Sequence, residues 1–284
     1  MIDERMENYK NCSASFAIGL SDFSTSEPLL NAETIVASGM DFIEPGLAKV
    51  AAMSSEEFEN ARERIERHQI RVPSVNWFLP PDIKVTGPDA DDTRCRLFLN
   101  HALARATTLG AQSVVFGSPG SRTLPKGFPA DQGRQQMIAF CRMCSEVIRE
   151  NNWQIRIAVE HVNHTETNFI NTFAQALAIV REVDRPEIGL AADFYHFAME
   201  EESMDVMLDA GDLICAVQLA DPDGRCFPKP GAAIPGLDEF FDNLNRIGYA
   251  GGVSVEATVG DDLEADCRGA VERLRKCFGN SNMT

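Results

Sequence analysis

The sequence has no run of lysines and arginines, and acidic residues outnumber basic ones. Its 284 residues include 26 Lys and Arg and 43 Asp and Glu, a formal net charge of −17. Because a field of that sign repels phosphate backbones, nucleic acid is not expected as a partner. No apolar run approaches the ~20 residues that span a bilayer. The first ten residues, MIDERMENYK, lack the apolar core of a signal peptide. A membrane partner is therefore not expected.

Histidine is scarce, and the cysteines form no recognisable metal motif. Five histidines limit any nitrogen-rich metal cluster. Of the eight cysteines, Cys141 and Cys144 have CxxC spacing, but they fall well inside a predicted helix. A redox CxxC needs a helix N-terminus, where the dipole lowers a thiol pKa, and a zinc site needs a second pair. The pattern therefore favours reduced thiols and a cytoplasmic protein.

Short apolar runs alternate with longer helical patterns from one end of the chain to the other. Most runs are continuously apolar, which is typical of parallel strands covered on both faces. The predicted strands are 13–20, 41–46, 71–78, 113–118, 155–161, 188–194, 216–221 and 252–257. The predicted helices are 54–68, 91–109, 130–150, 167–183 and 261–277, with weaker patterns at 30–39, 202–210 and 237–247.

Eight strand–helix units predict an α/β protein, a (β/α)₈ TIM barrel forming a single domain over residues 1–284. An open doubly wound sheet is the alternative, but Ser21-Asp22-Phe23 stands where its glycine-rich phosphate loop would follow the first strand. Two segments rich in Pro and Gly, 79–90 and 118–129, follow the third and fourth strands. They are predicted to overhang the carboxyl-terminal face, where barrels carry their sites.

Polar side chains occur at the carboxyl-terminal ends of most predicted strands, which converge at one mouth in a barrel. They are Glu44, Asn76, Ser118, Glu160, Asp193, Gln218 and Glu256. The last four bring three carboxylates together, and these would repel one another unless a cation lay among them. Oxygen ligands suit Mn²⁺ or Mg²⁺, with Co²⁺ or Zn²⁺ as further options. We therefore predict a metal site of these four residues. The alternative for Gln218, in the run CAVQLA, is a buried amide satisfied by backbone.

Three further polar side chains follow these strand ends closely in the sequence. They are Glu166, six residues after Glu160, His196, three after Asp193, and Arg225, seven after Gln218. Each is also compatible with a solvated loop residue or, for His196, a packed core histidine. Together they would supply an acid, a hydrogen-bond donor and a fixed cation to a polyhydroxylated, carbonyl-bearing substrate.

A substrate carboxylate or phosphate would dock on Arg225, since its planar guanidinium makes bidentate contacts. Arg122 is a second candidate for this docking, with Lys84 and Lys126 as weaker ones. No glycine nest marks a phosphate site, which favours a non-phosphorylated sugar or a small keto acid.

The motifs at the strand ends resemble those of the xylose isomerase-like barrel superfamily over essentially the whole chain. VEHVNHTETNF resembles the family's E-x-x-N-x-x-E segment, ADFYH its D-x-x-H, and VEAT its strand-eight glutamate. The resemblance implies metal ligation by Glu160, Asp193, Gln218 and Glu256. It implies that Glu160 and Glu256 are also the catalytic pair and that Glu166, His196 and Arg225 bind substrate. Asn76, Glu44 and Ser118 are predicted to bind substrate as well.

The seventh strand separates subfamilies of this superfamily. QLADPDGR resembles the Q-x-A-D-x-P-G-R of hydroxypyruvate isomerases, although Asp223 separates proline from glycine here. Ketose 3-epimerases carry a histidine at the position of Gln218. The resemblance thus implies a sugar or keto-acid isomerase or epimerase, and it leaves the substrate open.

The predicted reaction is proton transfer between two glutamates through a metal-stabilised enediolate. A metal-dependent dehydratase of an inosose or dehydroshikimate-like substrate is the alternative. A relative of endonuclease IV would need more histidines, and a non-catalytic binding protein would be expected to lack a ligand. Because relatives are often dimers or tetramers, a homo-oligomer remains open.

Overall fold

Eight parallel strands form the frame of the computed structural model, which describes residues 16–280. The strands are β1 (Ile18–Ser21), β2 (Phe42–Glu44), β3 (Ser74–Val75), β4 (Ser113–Phe116), β5 (Arg156–Glu160), β6 (Ile188–Asp193), β7 (Ile214–Leu219) and β8 (Val253–Val255). Their order is β2-β1-β8-β7-β6-β5-β4-β3. Parallel bridges from Phe42 to Arg71 and from Gly46 to Asn76 link the two ends of this sheet. The result is a nearly closed barrel, so the predicted TIM barrel is confirmed and the doubly wound sheet is wrong.

Helices surround the strands. They are α1 (Ala32–Ala37), α2 (Leu47–Ala52), α3 (Ser55–His68), α4 (Asp92–Thr108), α5 (Pro119–Arg122), α6 (Ala130–Glu150), α7 (Phe173–Val183), α8 (Phe194–Met199), α9 (Val206–Ala210), α10 (Leu237–Arg246) and α11 (Leu263–Asn280). Every predicted helix is present in the structure, whereas α2, α5 and α8 were not predicted. Within the described residues, no helix combines the length and the apolar composition that crossing a membrane requires. Cys12 and residues 13–15 of the first predicted strand lie outside the described residues.

The start of α7 differs most from its predicted position. The pattern predicted a helix from residue 167, but the helix begins after Thr172, whose side chain accepts a hydrogen bond from the backbone N–H of Gln175. Gln175 bonds back to the N–H of Thr172, completing a capping box. Asn171 donates to the carbonyl oxygens of Val162 and Thr167, so the preceding residues are held as a loop beside the barrel mouth.

The two Pro- and Gly-rich segments that follow β3 and β4 are bonded to each other. The N–H of Leu79 donates to Ser118 Oγ at 3.0 Å, and the N–H of Val85 donates to the carbonyl of Ser121 at 3.0 Å. Thr86 Oγ1 donates to the carbonyl of Arg122 at 2.8 Å. The two segments are therefore joined to each other and together form one wall of the barrel mouth.

The CxxC pair lies in the interior of α6. Cys141 and Cys144 are both buried, and burial raises the pKa of Cys141 to about 12 and that of Cys144 well above its usual value. They are packed thiols, as the position of the motif within a helix indicated.

Candidate active site

Alternation along the strands explains why the predicted ligands share one face. Val115, Ala158, Ala191 and Ala216 form a separate buried cluster, distinct from the main core between sheet and helices. Because side chains alternate with a period of two, the residues two positions later point to the same face, one layer nearer the mouth. Those residues are Gly117, Glu160, Asp193 and Gln218.

Glu160, Asp193 and His196 form a group that could hold a metal ion. One ligand atom from each lies within 4.8 Å of the others, and all three side chains are buried. His196 Nε2 lies 3.4 Å from Glu160 Oε1 and 3.7 Å from Asp193 Oδ2. Burial raises the pKa of Asp193 to about 6, with His196 lowering it and Glu160 adding to the rise. A divalent cation would compensate the charge that burial disfavours.

Two buried oxygens beside this group lack hydrogen-bond partners among residues 16–280. They are Asp193 Oδ2 and Gln218 Oε1, on residues that are aligned as neighbours in the β6–β7 ladder. Asp193 Oδ1, in contrast, accepts from the N–H of Tyr195 at 2.8 Å. Leaving a buried acceptor unpaired costs about 1–3 kcal/mol, so two adjacent ones are suited to accept an electropositive group. The donor set therefore fits an oxygen-preferring divalent ion.

The surroundings of His196 determine which ring nitrogen carries the proton. The N–H and the side-chain Nδ2 of Asn163 lie 3.3 and 2.8 Å from His196 Nδ1. The orientation of the Asn163 amide is fixed, since its Oδ1 accepts from the N–H of Thr165 at 3.0 Å. His196 Nδ1 thus faces donors and acts as an acceptor, which places the ring proton of the neutral side chain on Nε2. His196 is therefore equipped to donate a hydrogen bond towards the Glu160 side of the cavity.

Glu256 lies outside the 4.8 Å group formed by Glu160, Asp193 and His196. Its Oε1 accepts from Asn76 Nδ2 at 3.0 Å, and its Oε2 accepts from the guanidinium of Arg225. Burial raises the pKa of Glu256 to about 8; Arg225 opposes the rise, and Glu160 and Asp193 add to it.

Arg225 is held between two rings and two carboxylates. Its guanidinium carbon lies 4.0 Å from the centroid of Phe23 and 4.5 Å from that of Tyr195. Its Nη1 donates to Glu166 Oε1 at 2.8 Å, and its other terminal nitrogen donates to Glu256. Burial disfavours the charged guanidinium, but Glu256 and the neighbouring carboxylates outweigh this, so the pKa of Arg225 is raised. Arg225 is a fixed cation at the mouth.

Seven predicted site residues line one cavity at the carboxyl-terminal mouth: Asn76, Ser118, Glu160, Glu166, His196, Arg225 and Glu256. Asp193 and Gln218 lie buried beneath it, and the predictions did not include Phe23, Trp77 or Gly117, which also line it. Phe23 and Trp77 are aromatic residues that follow β1 and β3, and that position was the available signal. Trp77 is half exposed and has a φ of 44°, a conformation that is uncommon for a bulky residue.

Other predicted residues lie away from the cavity. Glu44, predicted to bind substrate, is in the barrel interior and does not line the cavity. Arg122 is fully buried and donates to the carbonyl of Glu160 at 2.7 Å; burial lowers its pKa to about 10. Lys84 donates to the carbonyl of Gly120, and Lys126 is exposed. Among the described residues lining the cavity, Arg225 is the one lysine or arginine.

These features define the protein as a (β/α)₈ barrel with its candidate site at the carboxyl-terminal mouth. The profile of the xylose isomerase-like TIM barrel matches residues 32–277, and the chain belongs to that family. The chain is 36% identical over 110 residues to a ketose 3-epimerase from Arthrobacter globiformis, covering 38% of this chain and 37% of that protein. It is 25% identical over 270 residues to a putative hydroxypyruvate isomerase from Streptomyces coelicolor, covering 88% and 92%.

A solved structure with a similar fold is a D-allulose 3-epimerase from Methylomonas sp. in complex with D-allulose. It has a TM-score of 0.78 and 21% identity, and the match covers 92% of this chain and 96% of the other. The sequence matches to the first curated relatives span less than half of those proteins' length.

Proposed function

We propose that the protein is a divalent-metal-dependent isomerase or epimerase acting on a sugar or a small keto acid. The observation that carries this proposal is the pair of unpartnered buried oxygens on Asp193 and Gln218, beside Glu160 and His196. Membership of the xylose isomerase-like family and the similarity to a ketose 3-epimerase and a putative hydroxypyruvate isomerase support it.

The proposed metal ligands are Glu160, Asp193, Gln218 and Glu256. Three carboxylates and one amide oxygen suit Mn²⁺ or Mg²⁺. The bound ion would supply positive charge to stabilise the negative charge that develops on a substrate carbonyl oxygen when the adjacent carbon loses a proton. His196 is proposed as a hydrogen-bond donor to substrate rather than as a ligand, because its Nδ1 already faces two N–H donors.

Glu160 and Glu256 are the proposed proton-transfer pair. Glu160 ends β5 and Glu256 directly follows β8; these strands lie three positions apart in the sheet, and both side chains line the cavity. Two carboxyl groups separated in this way can act on opposite faces of one substrate. Return of the proton to the opposite face of the same carbon gives epimerisation, and return to the neighbouring carbon gives isomerisation.

The remaining cavity residues suit a non-phosphorylated substrate rich in hydroxyl and carbonyl oxygens. Both terminal nitrogens of Arg225 are already paired with the carboxylates of Glu166 and Glu256. A phosphate would have to displace one of these partners, whereas hydroxyl and carbonyl oxygens can share the donors. Trp77, half exposed at the mouth, offers an aromatic surface to the C–H groups of a sugar. We therefore favour a non-phosphorylated substrate.

Turnover in D₂O tests the proposal directly. Metal-stripped protein is incubated with Mn²⁺ or Mg²⁺ and a panel of D-allulose and other ketoses, hydroxypyruvate and inososes, and followed by ¹H NMR and mass spectrometry. We expect metal-dependent deuterium incorporation next to the carbonyl and formation of an isomer. A product lighter by one water would instead identify a dehydratase. Metal binding with neither exchange nor turnover on the whole panel would favour a binding protein.

A further inference from the structure

Glu44 lies beneath the cavity, at the end of β2, and its carboxylate is occupied by protein donors. Its side chain is 1% exposed. Its Oε1 accepts from Ser21 Oγ at 2.8 Å and from Gln218 Nε2 at 2.7 Å, and its Oε2 accepts from the hydroxyl of Ser74. These contacts leave Glu44 no face towards a substrate, and they connect it to one of the proposed metal ligands.

The contact with Glu44 determines which end of the Gln218 amide faces the site. A glutamine amide can turn over and exchange its oxygen and nitrogen positions, but only the oxygen binds a cation. Both oxygens of Glu44 accept from side-chain donors, of Ser21 and Gln218 on one and of Ser74 on the other, and this arrangement holds the NH₂ end of Gln218 against Glu44. The other end is Oε1, the buried oxygen that has no partner within residues 16–280. Glu44 thus holds the Gln218 amide in the orientation that turns its oxygen towards the proposed metal site.

The same carboxylate orders a second series of hydrogen bonds that ends on Glu256. The hydroxyl proton of Ser21 is donated to Glu44, so Ser21 Oγ can otherwise only accept, and it does so from Asn76 Nδ2 at 2.7 Å and from Gln218 Nε2 at 3.3 Å. Together with the carbonyl oxygen of Asp22, which accepts at 3.0 Å, this turns the NH₂ group of Asn76 towards Glu256, to whose Oε1 it donates at 3.0 Å. Donor directions therefore run from Asn76 through Ser21 to Glu44, and the remaining Asn76 proton is shared between the Asp22 carbonyl oxygen and Glu256 Oε1.

We propose that Glu44 is a positioning residue that fixes the Gln218 amide oxygen, and through Ser21 and Asn76 the Glu256 carboxylate, for divalent-metal binding. This inference rests on the proposed metal site. Groups that orient metal ligands affect affinity without touching the ion, typically by about 10- to 100-fold.

The test is a titration of metal-stripped protein with Mn²⁺, followed by electron paramagnetic resonance and by calorimetry. Glu44→Gln keeps the shape of the side chain but allows it to donate as well as accept, which frees the Gln218 amide to turn over. We expect Mn²⁺ affinity to fall about 10- to 100-fold in this variant. The double variant Glu44→Gln with Gln218→Glu exchanges carboxylate and amide. In it, the new amide donates to the new carboxylate, whose second oxygen faces the ion, and we expect affinity to return.

Two further variants separate positioning from general damage. Glu202 also accepts two hydrogen bonds, from the N–H groups of Phe173 and Ala174 at the start of α7. Glu202→Gln is therefore the matched control, and we expect it to bind Mn²⁺ as the wild type does. Gln218→Ala tests the ligand itself, and its affinity should fall at least as far as that of Glu44→Gln.

The outcomes distinguish this inference from the metal proposal. Wild-type affinity in Glu44→Gln, together with weak binding by Gln218→Ala, would overturn the role of Glu44 alone. Wild-type affinity in Gln218→Ala would remove Gln218 from the metal site, so the proposed function would lose a ligand. Weak binding by Glu44→Gln that the double variant fails to restore also contradicts positioning. If Glu44→Gln does not fold by circular dichroism, the double variant decides, with binding within tenfold of wild type as the supporting result.

Discussion

The Oε2 atom of Glu160 lies 2.2 Å from the place that a Cβ atom on Gly117 would occupy. Gly117 directly follows β4, and Glu160 ends the neighbouring strand β5. Only a residue without a side chain leaves space for the carboxylate in its present position. The atom that would have to move is the end of a flexible side chain, so substitution should disturb the site rather than the fold.

We predict that Gly117→Ala displaces the Glu160 carboxylate and lowers turnover about 100-fold, the scale of effect that a 1 Å misplacement can have. Mn²⁺ affinity should fall as well, while circular dichroism and the melting temperature change little. The control is Gly269→Ala in α11, where the added Cβ first meets Pro230 at 3.2 Å. Normal activity in Gly117→Ala would show that the position of Glu160 is not critical.

Glu256→Gln should lower turnover by about 10²–10⁴-fold, the contribution expected of general acid–base catalysis. The amide keeps the size of the side chain but cannot carry the proton. Folding should be unaffected, as judged by the melting temperature at fixed pH. Glu239→Gln, on the exposed side of α10, is the control and should retain full activity. Turnover near wild type in Glu256→Gln would rule out its place in the proton-transfer pair.

Metal-free protein should lose stability as the pH rises from about 5 to 8. The usual pKa of 4.5 for Glu256 is raised to about 8 by burial, which means that the folded chain holds this proton more tightly than the unfolded chain. The resulting stability is present in full below the unfolded pKa and is lost as the pH rises through the folded pKa. Asp193, raised to about 6, acts in the same direction.

This prediction is checked by the melting temperature of chelator-treated protein across that pH range. Each kcal/mol corresponds to about 2–4 °C in a chain of this size. Added Mn²⁺ should reverse the decline, because the ion binds the ionised carboxylates of the folded state. Glu256→Gln should show a shallower decline without metal. A metal-free melting temperature that rises steadily towards pH 8 would contradict the protonation pattern proposed for the site.

Replacing Arg225 should weaken substrate binding more than it slows chemistry. Arg225→Lys keeps the charge but loses the planar fork that joins Glu166 and Glu256, and it loses the stacking on Phe23 and Tyr195. Hydrogen bonds to charged groups contribute about 1.5–3 kcal/mol, so KM should rise about 10- to 100-fold.

Steady-state kinetics of Arg225→Lys and Arg225→Met, each with saturating Mn²⁺, separate KM from kcat. Arg225→Met, which retains only the apolar stem, should have the larger KM. Arg149→Lys removes a comparable guanidinium from a pair with Glu187 at the protein surface and should leave both constants unchanged. An unchanged KM in both Arg225 variants would mean that this cation does not contact substrate.

The sequence was sufficient to predict the barrel and most of the mouth because both follow from local patterns. Continuous apolar runs identify parallel strands, and their polar last residues must converge. Glu160 and Glu256 could therefore be placed on one cavity. The strand boundaries differ from the prediction: 71–78 is predicted as a strand, but only Ser74–Val75 pairs as one, and Trp77 beyond it has a left-handed backbone.

Contacts between distant residues could not be predicted from local patterns. Gln218 and Glu44 are 174 residues apart, and no motif connects them. Glu44 therefore had the same sequence signature as a substrate-binding residue, a polar side chain at a strand end. The burial of Arg122 was likewise invisible, because a basic residue in a Pro- and Gly-rich segment has the pattern of an exposed loop charge.

The bonds between the segments after β3 and β4 have a consequence for engineering the protein. Since Leu79 is tied to Ser118 and Val85 to Ser121, transplanting either segment alone from a relative would leave backbone groups on the other without partners. Chimeras intended to change substrate preference should exchange 79–90 and 118–129 together.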